Sequence, residues 1–255
     1  MDVGRGASLV LISTLTGPRI ISVPETGSTN ADLLRMAEAG SVGEGVWLRA
    51  DRQLAGRGRL GRDWSSPVGN LYASTIVIVH ADDPPAPSLA LVAAVALDEA
   101  IDAVLPDTAR RKLAIKWPND LLIGGAKVSG ILLERAGAHV VIGMGVNIAH
   151  YPDLSDRATT SLHAQGANVE VSAFAERLAG LMSARLLLWR SQGLAPVIAR
   201  WCERAHPIGA PLRVRLPDGA EQAGVFDGLD AQGALRLRLE DGETRVIHAG
   251  DVFLV

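Results

Sequence analysis

Short apolar runs bounded by glycine, proline or polar turn residues recur along the chain. Runs rich in β-branched and aromatic residues favour strands, whereas apolar residues spaced three and four apart favour helices. The pattern predicts strands over residues 19–23, 45–50, 70–79, 121–123, 127–134 and 140–148, and a strand that runs into a turn over 113–120. Gly124-Gly125 lies between two of these strands and is typical of a two-residue hairpin.

Helical spacing of apolar residues appears in four segments, at residues 27–40, 88–105, 172–192 and 195–205. Ser28 or Thr29 is expected to cap the first segment, because hydroxyl side chains satisfy free N–H groups at helix starts. Ser88 and Ser172 are the expected caps of the second and third. Successive strands without long helices between them indicate an α+β fold, with a mixed, mainly antiparallel sheet and helices packed on one face.

The chain changes character near residues 206–209. Beyond this point the spacing of apolar residues and Asp-Gly turns predicts five short strands, which is typical of a small β-barrel. These strands cover residues 211–216, 221–229, 234–239, 244–246 and 252–255. We therefore expect an N-terminal arm over residues 1–17, a larger domain over 18–206 and a barrel domain over 207–255.

Composition narrows the class of protein. Of the 255 residues, 48% are hydrophobic and 21% charged, as is usual for a globular enzyme, and the net charge of −3 gives no reason to expect nucleic-acid binding. Cys202 is the only cysteine, so no intramolecular disulfide can form. The histidines lack the spacing of metal ligands, and we expect no metal site built by the protein.

The N-terminal residues carry an apolar stretch at 7–12, which is short and lacks a basic flank. We expect a strand or loose arm here instead of a signal peptide. No other stretch approaches membrane-spanning length. The residues before the first predicted strand are too few for a helix-turn-helix domain. The expectation is therefore a cytoplasmic protein with no membrane or DNA partner.

The most distinctive stretch, residues 56–64, reads Gly-Arg-Gly-Arg-Leu-Gly-Arg-Asp-Trp and is called here the glycine-arginine loop. Its glycines allow the backbone to approach a ligand closely, and its arginines favour phosphate or carboxylate groups. The glycine spacing matches a dinucleotide fingerprint, but such a site needs a helix to begin at the third glycine. The following Arg-Asp-Trp-Ser-Ser-Pro is a poor helix, so we interpret the stretch as a mobile anion-binding loop.

Other motifs accompany this loop. They are Gly-Ser-Thr-Asn at 27–30, Gln53, Lys-Trp-Pro-Asn-Asp at 116–120, Lys-Val-Ser-Gly-Ile-Leu at 127–132 and Gly-Met-Gly-Val-Asn at 143–147. In order and spacing the set resembles biotin protein ligases, from residue 22 to the C-terminus. The resemblance implies a catalytic domain like those of class II aminoacyl-tRNA synthetases and biotin ligases, followed by an SH3-like domain. It also implies activation of biotin by ATP to biotinyl-5′-AMP and transfer to a lysine of a biotin carboxyl carrier domain.

The residues suit this chemistry. Joining a carboxylate to a polyphosphate requires cations, and the resemblance gives the catalytic set Arg57, Arg59 and Lys116. The expected biotin-binding residues are Ser28, Thr29, Asn30, Gln53, Arg57, Gly58, Arg59, Trp64, Lys116 and Gly130. The expected ATP-binding residues are Arg57, Arg59, Arg62, Lys116 and Asn147. Mg²⁺ is expected to be held through the ATP phosphates.

Several alternatives remain open. Lys127 could be an ordinary hairpin charge, Arg62 could only keep the loop from aggregating, and Asp120 could be structural. The nearest rival function is a lipoate or octanoate ligase of the same fold, and a non-catalytic biotin-sensing module is another. The expected partner is the carrier domain of a biotin-dependent carboxylase, and a homodimer is possible.

Overall fold

A computed structural model describes residues 18–254; the predicted N-terminal arm and Val255 lie outside this range. Seven strands form the larger sheet: β1 Ile20–Thr26, β2 Trp47–Gln53, β3 Leu71–Ile78, β4 Leu113–Lys116, β5 Asp120–Ile123, β6 Ala126–Ala136 and β7 His139–Val146. Their order is β1-β2-β3-β7-β6-β5-β4. β1 and β2 are parallel, whereas the other neighbouring pairs are antiparallel. The prediction of a mixed, mainly antiparallel sheet is confirmed.

The α-helices lie on both faces of this sheet. They are α1 Thr29–Glu38, α2 Leu89–Asp102, α3 Asp107–Arg110, α4 Val171–Gln192 and α5 Ala195–Glu203. As expected, α2 packs directly on one face, and α4 and α5 pack against α2. α1 is an exception to the predicted one-sided arrangement, since Leu33 and Ala37 pack on the opposite face against Leu48, Ile76 and Val141. The central strands are buried on both sides, which leaves apolar side chains for a helix on each face.

One predicted helix cap is wrong, and another is right in position only: Ser88 is the N-cap residue of α2 but does not cap it with its side chain. α4 is capped by Glu170, whose carboxylate accepts the backbone N–H of Ser172 at 3.0 Å. Ser88 precedes α2 with a helical φ of −67°, and its hydroxyl donates to the carbonyl of Pro85 and not to the start of the helix. The cap of α1 is Ser28, one of the two predicted residues.

The C-terminal part forms a second, five-stranded antiparallel sheet. Its strands are β8 Pro211–Arg215, β9 Glu221–Leu229, β10 Leu235–Arg238, β11 Thr244–Ile247 and β12 Asp251–Leu254, in the order β11-β10-β9-β8-β12. The five predicted strands are thus confirmed.

This second sheet packs directly on the helices. The ring centroids of Trp201 and Phe226 lie 6.4 Å apart. Gly233 is so close to Leu91 that an added Cβ would come within 2.5 Å of Leu91 Cδ1. One hydrophobic core therefore runs through both parts of the molecule. Within residues 18–254, no helix is long and apolar enough to cross a membrane.

Candidate active site

A cavity of about 680 Å³ lies between the larger sheet, the glycine-arginine loop and β12. Its lining includes every residue predicted to bind substrate, namely Ser28, Thr29, Asn30, Gln53, Arg57, Gly58, Arg59, Arg62, Trp64, Lys116, Gly130 and Asn147. The fold thus brings distant parts of the sequence around one space of the size that encloses a small organic ligand.

One end of the cavity is neutral and closely hydrogen-bonded. Thr29 donates its backbone N–H and its hydroxyl to Gln53 Oε1, at 2.9 and 3.0 Å. The buried hydroxyl of Ser74 lies 2.7 Å from Thr29 Oγ1, and Gln53 Nε2 lies 3.3 Å from Ser66 Oγ. Ser28 stands beside this network at the N-terminus of α1. Because these groups hold one another in place, a ligand meets donors and acceptors of fixed direction.

Asn30, predicted to contact biotin, uses its side-chain amide within the protein. It donates to Glu134 Oε2 at 2.8 Å and accepts from the Ser74 hydroxyl at 2.6 Å. A Cβ at Gly143 would lie 2.2 Å from Asn30 Oδ1, so the absence of a side chain at Gly143 makes room for the amide. We interpret Asn30 as a residue that fixes α1, and with it Thr29, against the sheet.

The glycine-arginine loop folds back on itself as a hairpin. The N–H of Gly58 donates to the carbonyl of Arg62 at 2.7 Å, and that of Trp64 to the carbonyl of Gly56 at 3.0 Å. A Cβ at Gly56 would lie 2.6 Å from the Trp64 carbonyl, so only glycine fits there. At the apex, Leu60 adopts a left-handed φ of 57° and is 75% exposed. The backbone bonds are internal to the loop, whose tip reaches the rest of the protein through side chains.

The indole of Trp64 rests on β6 and β7. A Cβ at Gly130 would lie 3.0 Å from its Cζ3, and one at Gly145 would lie 2.6 Å from its Cε2. Lys127 Nζ lies 5.3 Å from the ring centroid, which is a cation–π contact. Trp64 Nε1 is buried and has no hydrogen-bond partner within the described part of the chain. The ring therefore forms an apolar wall, and its one donor faces β7, since a Cβ at Gly145 would lie 2.8 Å from Nε1.

Two lysines share the carboxylate of Asp120 at the other end of the cavity. Lys127 Nζ lies 2.6 Å from Oδ1, and Lys116 Nζ lies 3.5 Å from Oδ2. Burial alone would raise the pKa of Asp120, but the two lysines outweigh it and hold that pKa below its usual value. Burial lowers the pKa of Lys116, an effect that Asp120 opposes only in part. One carboxylate for two ammonium groups leaves positive charge to receive an anion.

Lys127 was not among the residues expected to bind substrate. It belongs to one of the quoted motifs, but an ordinary hairpin charge remained an open alternative. In the structure its ammonium group is close to both the Trp64 ring and Asp120. Its position in the motif was the available signal.

The loop arginines approach a carboxylate from the second sheet. Arg62 Nη2 contacts Asp251 Oδ2, and Arg59 Nη1 lies 3.7 Å from Asp251 Oδ1. Arg59 also donates to Asn119 Oδ1 at 3.3 Å. Arg57 is exposed and forms no ion pair with the residues that the structure describes. No local pattern signalled Asp251, which lies 189 positions from Arg62.

Asn147 follows β7 and is buried, and its Nδ2 donates to the carbonyl of Thr160 at 3.0 Å. Asn70 fixes the next turn, since its Oδ1 accepts three successive backbone N–H groups from residues 148–150. Residues 151–166 are largely irregular, and they do not all lie on the surface, because the stretch around Thr160 is buried.

Comparison with known proteins gives a consistent result. A model for the "Biotin/lipoate A/B protein ligase family" matches residues 21–147, and one for the "Biotin protein ligase C terminal domain" matches residues 209–255. A biotin–[acetyl-CoA-carboxylase] ligase of Paracoccus denitrificans is 38% identical over 240 residues, which cover 89% of this chain and 97% of that protein. The chain belongs to the biotin protein ligase family.

Further relatives agree. A biotin–[acetyl-CoA-carboxylase] ligase of Mycobacterium tuberculosis is 39% identical over 90% of this chain and 86% of its own length. The structure of a biotin protein ligase from Aquifex aeolicus, in complex with biotin and ATP, matches with a TM-score of 0.80. That match covers 93% of this chain and 99% of the other at 24% identity, which is evidence for the fold alone. Both the family and the fold class expected from the motifs are confirmed.

Among residues 18–254, no group of three or more His, Cys, Asp or Glu residues could hold a metal ion.

Proposed function

We propose that this ligase joins biotin to ATP, forming biotinyl-5′-AMP and pyrophosphate, and then transfers the biotinyl group to a lysine of a biotin carboxyl carrier domain. One observation carries the proposal: a single cavity has a neutral hydrogen-bonding end and a cationic end. The neutral, polar ureido ring of biotin suits the first, and phosphate groups suit the second.

In the first step a biotin carboxylate oxygen attacks the α-phosphorus of ATP. The bond from that phosphorus to the bridging oxygen breaks, and pyrophosphate leaves with the electron pair. Two anions must approach each other, so fixed positive charge lowers the barrier. Lys127 is well placed for this role, because its ammonium group lies between the apolar wall of Trp64 and the carboxylate of Asp120. Lys116 and Arg59 supply further positive charge in the same cavity.

The other site residues act on binding in this proposal. Ser28, Thr29 and Gln53 orient the ureido ring, while Trp64 covers the apolar part of biotin above Gly130. Arg57, Gly58 and Arg62 act from the loop, with the arginines directed at phosphate oxygens, and Asn147 lies at the adenine end. Mg²⁺ arrives as part of the MgATP substrate and is held by phosphate oxygens and water.

In the second step the neutral ε-amine of the acceptor lysine attacks the carbonyl carbon of the mixed anhydride. An amide bond forms, the carbonyl carbon–oxygen bond to the phosphate breaks, AMP leaves and the amine loses a proton to solvent. No side chain of the ligase becomes covalently attached. Water would attack the same carbonyl, so cover by the loop favours transfer over hydrolysis.

Isotope exchange between ATP and pyrophosphate tests the first step without a carrier. We expect exchange that depends on biotin and does not occur with lipoate or octanoate. Exchange with lipoate alone would establish the rival ligase, and binding of biotin without any exchange would favour the sensing module.

Transfer to a purified carrier domain tests the second step. We expect mass addition of one biotinyl group that requires both ATP and biotin. A carrier with its acceptor lysine replaced by arginine is the matched control, and labelling of that control would contradict transfer to a specific lysine.

The remaining expectations about partners and location also stay predictions. They are a homodimer, a cytoplasmic location and the absence of nucleic-acid and membrane partners. Sedimentation of the ligase, with and without biotin and ATP, tests the first of these.

A further inference from the structure

The start of β12 holds three of the cavity's cations. The carboxylate of Asp251 lies between the guanidinium groups of Arg59 and Arg62. The neighbouring carbonyls also accept hydrogen bonds, from Arg59 Nη2 to Gly250 at 3.2 Å and from Lys116 Nζ to Val252 at 3.1 Å. A row of acceptors from the second sheet therefore faces the loop and the larger sheet together.

This row of acceptors is rigidly placed. Asp251 and Val252 pair with Arg215 and Val214 in β8. A Cβ at Gly250 would lie 2.9 Å from the carbonyl of Arg215, so the turn packs as closely as glycine allows. The Asp251 side chain is only 14% exposed. The carboxylate is thus a fixed point on the second sheet.

The tip of the glycine-arginine loop has few other attachments. Its backbone hydrogen bonds stay within the loop, and Leu60 at the apex is 75% exposed. Within residues 18–254, the hydrogen bonds from residues 57–62 to the rest of the protein come from Arg59 and Arg62. Two of these three bonds end on Gly250 and Asp251. The attachment of the tip therefore depends largely on the start of β12.

We propose that Asp251 is a positioning residue that latches the glycine-arginine loop over the cavity through Arg59 and Arg62. Its single negative charge allows two guanidinium groups to lie side by side, and each guanidinium keeps further N–H donors for phosphate oxygens. The latched loop holds these donors at the cationic end and covers the adenylate between the two steps. The assignment rests on the proposed function for its consequences in catalysis, but the latch itself is a property of the free enzyme.

A competing interpretation predicts the opposite sign. If Asp251 were only a counter-ion occupying the phosphate site, its removal would free two arginines and lower the KM for ATP. If Asp251 is a latch, its removal loosens the loop and raises that KM. The same substitution therefore separates the two interpretations.

The test compares Asp251→Asn with Asp227→Asn. Asp227 lies in the same second sheet, also contacts two arginines, Arg236 and Arg238, and is not among the residues that line the cavity. For Asp251→Asn we expect faster protease cleavage within residues 56–62, a higher KM for ATP and faster loss of the adenylate in single turnovers without carrier. Each change should be about tenfold, the size expected for one charge-assisted contact. Asp227→Asn should change none of the three.

Further variants complete the design. Asp251→Glu, which keeps the charge, should restore loop protection to within about threefold of the parent enzyme if charge is what matters. If Asp251→Asn unfolds the chain, Arg62→Gln removes the same contact from the exposed side and should give the same faster cleavage. Cleavage and KM values equal to those of Asp227→Asn, or a lower KM for ATP, would overturn the latch. Cleavage of the free enzyme does not depend on catalysis, so failure of the proposed reaction is distinguishable from failure of the latch.

Discussion

Two carboxylates beside the cavity, Asp120 and Asp251, each hold two cations, yet they are built differently. Asp120 faces Lys116 across the β4–β5 hairpin, and Lys127 comes from the adjacent β6, so its cations belong to one sheet. The cations of Asp251 come from a loop that is far away in the sequence. Sheet register fixes the first cluster, whereas only side-chain contacts close the second.

The Asp120 cluster is also more deeply buried than the Asp251 cluster. The side chains of Asp120 and its lysines are at most 19% exposed, whereas Arg59 and Arg62 are 26% and 42% exposed. A buried cluster loses much when one member is removed, because an uncompensated charge stays behind, while exposed pairs contribute little to folding. We call the Asp120 cluster the sheet side of the cavity and the Asp251 cluster the loop side. The sheet side holds reacting groups in place, whereas the loop side is the part that opens and closes.

The largest expected effect is on the sheet side. Lys127→Met should slow biotin-dependent ATP–pyrophosphate exchange by about 10²–10³-fold, the cost of losing one charge-stabilising donor at the reacting atoms. Lys112→Met changes an exposed lysine of the same sheet region and should leave the rate unchanged. A loss below about threefold for Lys127→Met would remove that residue from the mechanism.

Next in size is the stability that Asp120 provides. Asp120→Asn leaves Lys116 and Lys127 without their carboxylate and should lower the free energy of unfolding at pH 7 by about 3 kcal/mol. The pKa of Asp120 is lower in the folded than in the unfolded chain, so its contribution is complete above the unfolded value of about 4 and is lost as pH falls through the folded value.

Denaturation at several pH values measures this contribution. The difference between parent and Asp120→Asn should therefore narrow below about pH 4. A difference that stayed constant down to pH 2 would mean that Asp120 is not charged in the way described.

A smaller effect is expected where the loop side meets the sheet side. Gly145→Ala places a Cβ 2.6 Å from the Trp64 ring and must displace the indole. We expect the KM for biotin to rise about tenfold, because overpacking costs of order 1–3 kcal/mol. Gly180→Ala, in α4 with nothing near the added Cβ, is the control. Unchanged biotin binding in Gly145→Ala would show that Trp64 does not cover biotin.

The smallest effect concerns the neutral end. Ser74→Ala removes the buried hydroxyl beside Thr29 and Asn30, and should weaken biotin binding about threefold to tenfold, the size of one hydrogen bond. Thr75→Val removes a buried hydroxyl from the next residue, which bonds the carbonyl of Val46 instead. Calorimetry should show that Thr75→Val keeps its biotin affinity even if it loses similar stability. Equal affinities for both variants would argue against a role for the network.

Much of the fold follows from local patterns. The strands of both sheets and the longer helices appear where apolar spacing predicts them, because each element must bury one face. The failures also have local causes. Glu170 caps α4 in place of Ser172, because its carboxylate accepts the free N–H groups of residues 172 and 173. Ser88 is the N-cap residue of α2 as predicted, but its hydroxyl bonds the carbonyl of Pro85 instead of the start of the helix. The one-sided arrangement failed because the central strands also carry apolar residues on their second face, and α1 covers them.

The residues of the candidate site also separate into those that local motifs predict and those that only the fold reveals. Motif residues such as Thr29, Gln53 and Trp64 all line the cavity, as expected of residues that bind one ligand. The roles of Ser74 and Asp251 depend on contacts between elements far apart in the sequence, for which a single chain gives no local signal. Asn30 is the opposite case: it belongs to a motif, but its side chain fixes α1 and the neighbouring Thr29 in place.

The contact of Trp201 with Phe226 has a consequence for how the molecule melts. A small barrel joined by a flexible linker could unfold by itself while the remainder stays folded. Here Phe226 of the second sheet is part of the core beneath the helices, and Trp117 Nε1 donates to the carbonyl of Gly233 at 3.2 Å. Neither part can detach without exposing apolar surface of the other, so heat should unfold both parts in one cooperative transition.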